Sequence, residues 1–221
     1  MGRGETLTRL TAPPESFSAL RLLKAGAHRG FMVLRASAKV AAFFLAAGAC
    51  GPATAAEPTY IVALGASYIH GKGVSLSEAF PAQLENMLRA DGFNVQIINA
   101  GIDGDTTTRM LLRMDSVIPQ GAKITILQPG RNDFNSRKHG LSVEQHLANI
   151  EAIVGRLRAQ QIKVVLCNNG PGEAALAPRY DAILISCGDS HLIDGEHLDP
   201  TGHRIVAARL LPVIEGLLTQ R

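Results

Sequence analysis

From residue 59 onward, short apolar runs alternate with longer segments of helical period. The runs "TYIVALG" (59–65), "NVQIINA" (94–100), "KITILQP" (123–129) and "IKVVLCN" (162–168) are nearly free of charge inside. That pattern fits parallel strands buried on both faces. Between them, "AFPAQLENMLRADG" places Phe80, Leu84, Met87 and Leu88 on one face and ends at Gly92, a residue that readily terminates a helix. "LSVEQHLANIEAIVGRL" opens with Ser142 and Gln145 at capping-box spacing and carries Val143, Leu147, Ile150, Val154 and Leu157 as one stripe. Asp199-Pro200 supplies a carboxylate cap and a first-turn proline for the last helix. Strand–helix alternation of this kind predicts an α/β fold with right-handed crossovers, whose functional groups gather at the carboxyl ends of the strands. The segment 173–193 is short for a further helix plus a fifth strand.

The first 56 residues read differently. Arg35 and Lys39, the apolar run Val40 to Ala49 and the small residues Ala53-Thr54-Ala55 have the layout of an export signal starting at Met32, with cleavage near Ala55/Ala56. The apolar run falls well short of the roughly 18 residues that cross a bilayer. A lipid anchor on Cys50 is disfavoured, because Ala47-Gly48-Ala49 lacks the usual leucine. Residues 1–56 are therefore a leader and signal, and 57–221 a single domain, periplasmic or secreted. The full chain has 22 Lys+Arg against 19 Asp+Glu. The leader holds 7 of those cations and 2 of the anions, leaving a net charge of −2 and no basic stripe for nucleic acid. Cys167 and Cys187 remain, either as a disulfide or as two buried thiols.

Each apolar run is followed by candidate chemistry. Ser67 comes two residues after Gly65, in a loop of small residues where a nucleophile would sit at the sheet's edge among free backbone N–H groups. A nucleophile elbow would need glycine at Ile69, and a phosphate loop would need glycine at His70. "NAGIDGDTT" brings Asn99, Gly101, Gly104 and Thr106, and "PGRNDF" brings Gly130, Asn132 and Asp133. Near the end, Asp194 and His197 stand three apart; a histidine oriented by a carboxylate is what activates a serine. Metal binding by His191, Asp194, His197 or His203 meets no recognised ligand spacing. No metal or cofactor is called for. The literal string Gly188-Asp189-Ser190 lacks a strand-to-helix turn and reads as coincidence.

Taken in order, Gly-x-Ser, Asn-x-Gly-x-x-Gly-x-Thr, Gly-x-Asn-Asp and Asp-x-x-His resemble the SGNH (GDSL-type) hydrolases over the whole chain from about Thr59. The likeness is greatest to the small bacterial arylesterases and thioesterase/lysophospholipases. The resemblance implies a flavodoxin-like three-layer α/β/α sandwich with a five-stranded parallel sheet. It also implies Ser67 as nucleophile, His197 as general base, Asp194 as its orienting partner, and an oxyanion hole from the N–H groups of Ser67 and Gly104 and the Asn132 amide. The substrate would be a small-molecule or lipid ester, such as a short-acyl or aryl ester or a lysophospholipid. A carbohydrate O-deacetylase and a non-catalytic lipid- or glycan-binding protein are alternatives on the same scaffold. Two departures matter. Ala66 stands where the family has aspartate, removing a side chain that could brace the nucleophile loop. Arg131 puts a cation beside Asn132, either favouring anionic acyl groups or facing water.

Overall fold

The four apolar runs form strands within about one residue of the bounds read from the sequence: β1 (Thr59–Gly65), β2 (Val95–Gly101), β3 (Ile124–Gln128) and β4 (Lys163–Asn168). The computed structural model describes residues 56–135, 140–168 and 170–220; the leader and signal, residue 56 apart, lie outside them. A fifth strand, β5 (Ile183–Ser186), completes an all-parallel sheet in the order β2-β1-β3-β4-β5. The crossover into β5 contains two short 3₁₀ turns, Glu173–Ala175 and Pro178–Tyr180, in place of a helix. Pro171, Gly172 and Pro178 punctuate a stretch too short for a helical crossover.

Side-chain alternation along the strands divides the interior into two layers. Ile61, Ala63, Ile124 and Ile126 face α2 (Phe80–Ala90) and α5 (Pro200–Thr219) through Leu84, Leu88, Val206 and Leu210. Val62, Leu64 and Leu127 face α3 (Thr107–Val117) and α4 (Val143–Ala159) through Met110, Met114, Ile150 and Val154. The result is a three-layer α/β/α sandwich with flavodoxin-like strand order. The edge strand β2 corrects the expectation of burial on both faces, and the other edge, β5, is exposed as well. Gln96 and Asn99 of β2 are exposed, and Ile183 and Leu184 of β5 are each 37% exposed.

Helix caps follow the sequence. Ser142 and Gln145 form a reciprocal capping box on α4, Asp199 accepts from the Gly202 N–H, and Thr106 accepts from the Arg109 N–H. The α4 stripe differs at its start: Val143 is 38% exposed, and His146, three residues on, is fully buried in its stead. Val143 is the first helical residue and precedes the part of α4 that reaches the sheet.

His203 in α5 is also buried, where its ring stacks on Phe80 and Nδ1 accepts the Phe80 N–H at 3.2 Å. That acceptor role needs neutral imidazole, and burial pushes its pKa down to about 4 from 6.5. The unfolded chain then binds the proton more readily. Stability is therefore fully present above pH 6.5 and declines as the pH falls to about 4. Urea midpoints measured across that window should show the decline, and His203→Asn, which keeps an acceptor without a titrating ring, should flatten it.

Candidate active site

In a sheet of this order, the chain leaves β1 toward β2 on one side and returns to β3 on the other, opening a crevice at the carboxyl ends of β1 and β3. Gly65 ends β1 level with Gly101 of β2 and Gln128 of β3. A Cβ at Gly65 would stand 2.5 Å from the Gln128 carbonyl oxygen and 2.6 Å from Ile69 Cγ1, so only glycine lets the chain turn there. Ser67 follows as the first residue of the single helical turn α1 (Ser67–His70), with Gly71 at φ 85° closing it. Side chains from β2, β3 and α3 hold this turn. Gln128 Oε1 accepts the Ala66 N–H at 3.2 Å, Asn99 Nδ2 donates to the Ile69 carbonyl at 2.8 Å, and Arg113 Nη2 donates to the Gly65 carbonyl at 3.2 Å. The brace that an aspartate at position 66 could give is thus replaced, in part, from β3.

Arg113 reaches Gly65 from α3. The same guanidinium donates to the Ala100 carbonyl at 2.7 Å and to the fully buried Asp105 carboxylate at 2.8 Å. The Asp105 carbonyl in turn accepts Asn132 Nδ2 at 2.9 Å. Asn132 opens a 3₁₀ turn after β3, and its neighbour Asp133 is buried. Asp133 accepts the Thr107 N–H at 2.9 Å, the Thr107 hydroxyl, and His146 Nδ1 at 2.8 Å. His146 Nε2 faces Glu173 Oε1 at 3.3 Å, and both residues are fully buried. Burial opposes the charge on Asp133, but hydrogen bonds from His146 and Thr107 outweigh it and hold the pKa below the usual value. Burial likewise opposes a charged His146; hydrogen bonds to Asp133 and Glu173 prevail and push its pKa up to about 9.

The third segment is the loop before α5. Asp194 Oδ1 accepts the N–H groups of Glu196 at 2.9 Å and His197 at 2.7 Å, while Oδ2 faces His197 Nδ1 at 2.7 Å. These bonds, the His197 N–H first, hold the Asp194 carboxyl well below the usual carboxylate range. An ionised carboxylate only accepts, so Nδ1 is the protonated nitrogen that donates to Asp194. Among the described residues, the Tyr68 hydroxyl forms the only hydrogen bond from the nucleophile turn to this loop, donating to the Glu196 carbonyl at 2.8 Å.

Ser67, Asn132 and His197 line one cavity of about 670 Å³, together with Tyr68, Gln128, Arg131, Phe134 and Glu196. Asp194 stands behind His197. Gly104, at φ 69°, is exposed and outside the cavity wall, one residue before the carbonyl that binds Asn132. His191 turns to Asp189 at 2.6 Å, and His203 lies in the core. Gly188-Asp189-Ser190 follows β5 but leads into no helix before Pro200; Asp189 is held by His191 and Arg209. Cys167 and Cys187 are joined as a disulfide, with Cα atoms 5.3 Å apart. Sequence reasoning passed over Tyr68, Arg113, Gln128, His146 and Glu173. Gln128 alone left a local signal, as a lone amide closing an apolar strand.

A cavity at the switch point of a flavodoxin-like sheet is where such folds bind their ligands, whatever the chemistry. Residues 63–189 match the GDSL-like lipase/acylhydrolase family, and the chain belongs to that family. The match takes in Ser67, Gly104 and Asn132 and stops short of Asp194 and His197. The chain is 27% identical over 113 residues to the esterase TesA of Pseudomonas aeruginosa, covering 51% of this chain and 54% of that protein. It thus spans about half the length of this curated relative. Of solved structures, AlinE4, an SGNH-hydrolase family esterase, is similar at 27% identity and a TM-score of 0.53, covering 76% of this chain and 100% of that one. A crystal structure of TesA aligns with a TM-score of 0.64 at 20% identity, over 72% of this chain and 99% of that one, a likeness of fold.

The buried Asp133–His146–Glu173 cluster makes a prediction. The folded state holds the His146 proton more tightly than the unfolded chain, so its contribution is fully present below pH 6.5 and is lost as the pH rises through about 9. Chemical denaturation from pH 6.5 to 9.5 should show that loss. His146→Ala should remove the pH dependence and, by taking the buried cation away from Asp133 and Glu173, destabilise the fold by about 3–5 kcal/mol at neutral pH.

Proposed function

We propose that this protein is a serine esterase that hydrolyses carboxylic esters through Ser67, His197 and Asp194. The observation that carries the reading is the Asp194–His197 pair, whose imidazole lines the same cavity as Ser67. Membership of the GDSL-like lipase/acylhydrolase family supports it. In this mechanism the Ser67 hydroxyl attacks the acyl carbon and gives its proton to His197 Nε2. The tetrahedral oxyanion is held by the Ser67 N–H, which as the first donor of a helical turn has no intrahelical partner, and by the second N–H of the Asn132 amide. His197 then protonates the departing alkoxide, and water, deprotonated by the same ring, releases the acid and restores Ser67.

The cavity wall favours small esters. Gln128, Arg131, Asn132, Asn135 and Glu196 outnumber Tyr68, Phe134 and Leu192 around an open space, which fits a short acyl group or an aryl leaving group better than a long acyl chain. Export to the periplasm or beyond is part of the proposal, supported by the signal-like segment that begins at Met32 and by the disulfide.

Ser67→Ala should abolish hydrolysis of p-nitrophenyl acetate, and Asn132→Ala should lower kcat by about 10²–10³ without unfolding the chain. Wild-type turnover by Ser67→Ala would overturn the assignment. A panel of aryl, lysophospholipid and acetyl-sugar esters should give the highest kcat/KM on short aryl esters; preference for acetylated sugars would reassign the substrate.

A further inference from the structure

We infer that Tyr68 is a positioning residue that sets the distance between the nucleophile turn and the histidine loop, an inference that rests on the esterase reading above. Its hydroxyl donates to the Glu196 carbonyl at 2.8 Å, across 128 positions of chain. The two ends of this strap are the immediate neighbours of the reacting side chains, since Tyr68 follows Ser67 and Glu196 precedes His197. The Tyr68 ring also meets the His197 ring edge-on, with centroids 6.4 Å apart and planes at 62°.

The other polar contacts of the loop do not fix that distance. Asp194 binds the N–H groups of Glu196 and His197, and the Ile193 N–H donates to the His197 carbonyl at 2.8 Å, so these bonds set the loop's internal shape. Arg209 ties Asp189 to α5 at 2.7 Å, and the Asp199 N–H returns to the His191 carbonyl at 2.9 Å, so these set its place on the helix. Leu192 and Leu198 pack into the core, a non-directional contact. Proton transfer from Ser67 to His197 needs heavy atoms about 2.6–3.2 Å apart, a tolerance that packing alone does not impose. Burial, then the Glu196 carboxylate, push the Tyr68 phenol above its usual pKa, so it stays a protonated donor while catalysis runs near neutrality.

Tyr68→Phe keeps the ring and removes the strap. In the full chain, kcat for short p-nitrophenyl esters should fall about tenfold with KM changed less than about twofold, because misplacement of a reacting group is costly in the transition state. Labelling of Ser67 by a fluorophosphonate should slow in parallel. Both rates are normalised to the fraction of chains finally labelled, which removes any loss of folded protein from the comparison. Unchanged kcat and labelling rate, or a change confined to KM, would overturn the inference. Ser67→Ala runs alongside: activity there sinks the esterase reading itself, whereas an inactive Ser67→Ala with an unperturbed Tyr68→Phe sinks the strap alone.

Discussion

Buried charge at the carboxyl edge of the sheet has to be paired, and that constraint arranges most of what surrounds the cavity. An isolated carboxylate in an interior is so costly that its partners must be held in place for as long as the chain stays folded. Asp105 recruits Arg113, and Arg113 spans the Gly65 carbonyl that ends β1 and the Ala100 carbonyl near the end of β2. Asp133 recruits Thr107 at the start of α3 and His146 in the first turns of α4, and His146 recruits Glu173 from the crossover. Asn132 sits between these groups, bonded to the Asp105 backbone and covalently next to Asp133. The loops after β1, β2, β3 and β4 are therefore linked beneath the cavity by ionic hydrogen bonds, while apolar packing holds the layers below them.

The features legible in the sequence were those decided locally. Strands buried on both faces need unbroken apolar runs, so β1, β3 and β4 could be read almost to the residue; the caps of α4 and α5 were legible because a cap and its N–H partner lie within one turn. β5 was not, since a four-residue edge strand carries little pattern and its crossover has no helical period. At the site, Ser67, Asn132 and His197 each follow from a local string, and their meeting at one cavity follows from strand order. The groups that fix them do not. His146 looks like a residue of the polar face of α4 until Asp133 and Glu173 converge on it, and Gln128 meets Ala66 from 62 positions away. Gly104 shows the reverse limit, a motif glycine whose spacing said nothing about its place outside the cavity wall.

Position 66 illustrates how a departure from a family pattern is absorbed. Ala66 is buried, and its methyl group lies within 3.3 Å of where a Cβ on Gly130 would stand. The nucleophile turn and the turn bearing Asn132 thus pack closely through small groups, with Gln128 serving the backbone between them. What is absent is negative charge directly beside Ser67. The cavity wall instead takes its charge from Arg131 and Glu196, which come from other loops.

The disulfide has a consequence for how the sheet's outer edge is held. Cys167 lies in β4, and Cys187 follows directly after β5, at the sheet's outer edge. β5 has one neighbouring strand, four residues and little cover, and the loop carrying Asp194 and His197 hangs from its far end. A covalent tie at that point joins the segment leading into this loop to β4 across 20 positions of chain, whereas the Ser67 turn follows directly from the inner strand β1. Closing a loop of that length narrows the range of conformations open to the unfolded chain, so the edge strand, the poorest in apolar cover, is secured partly by a constraint that acts on the denatured state.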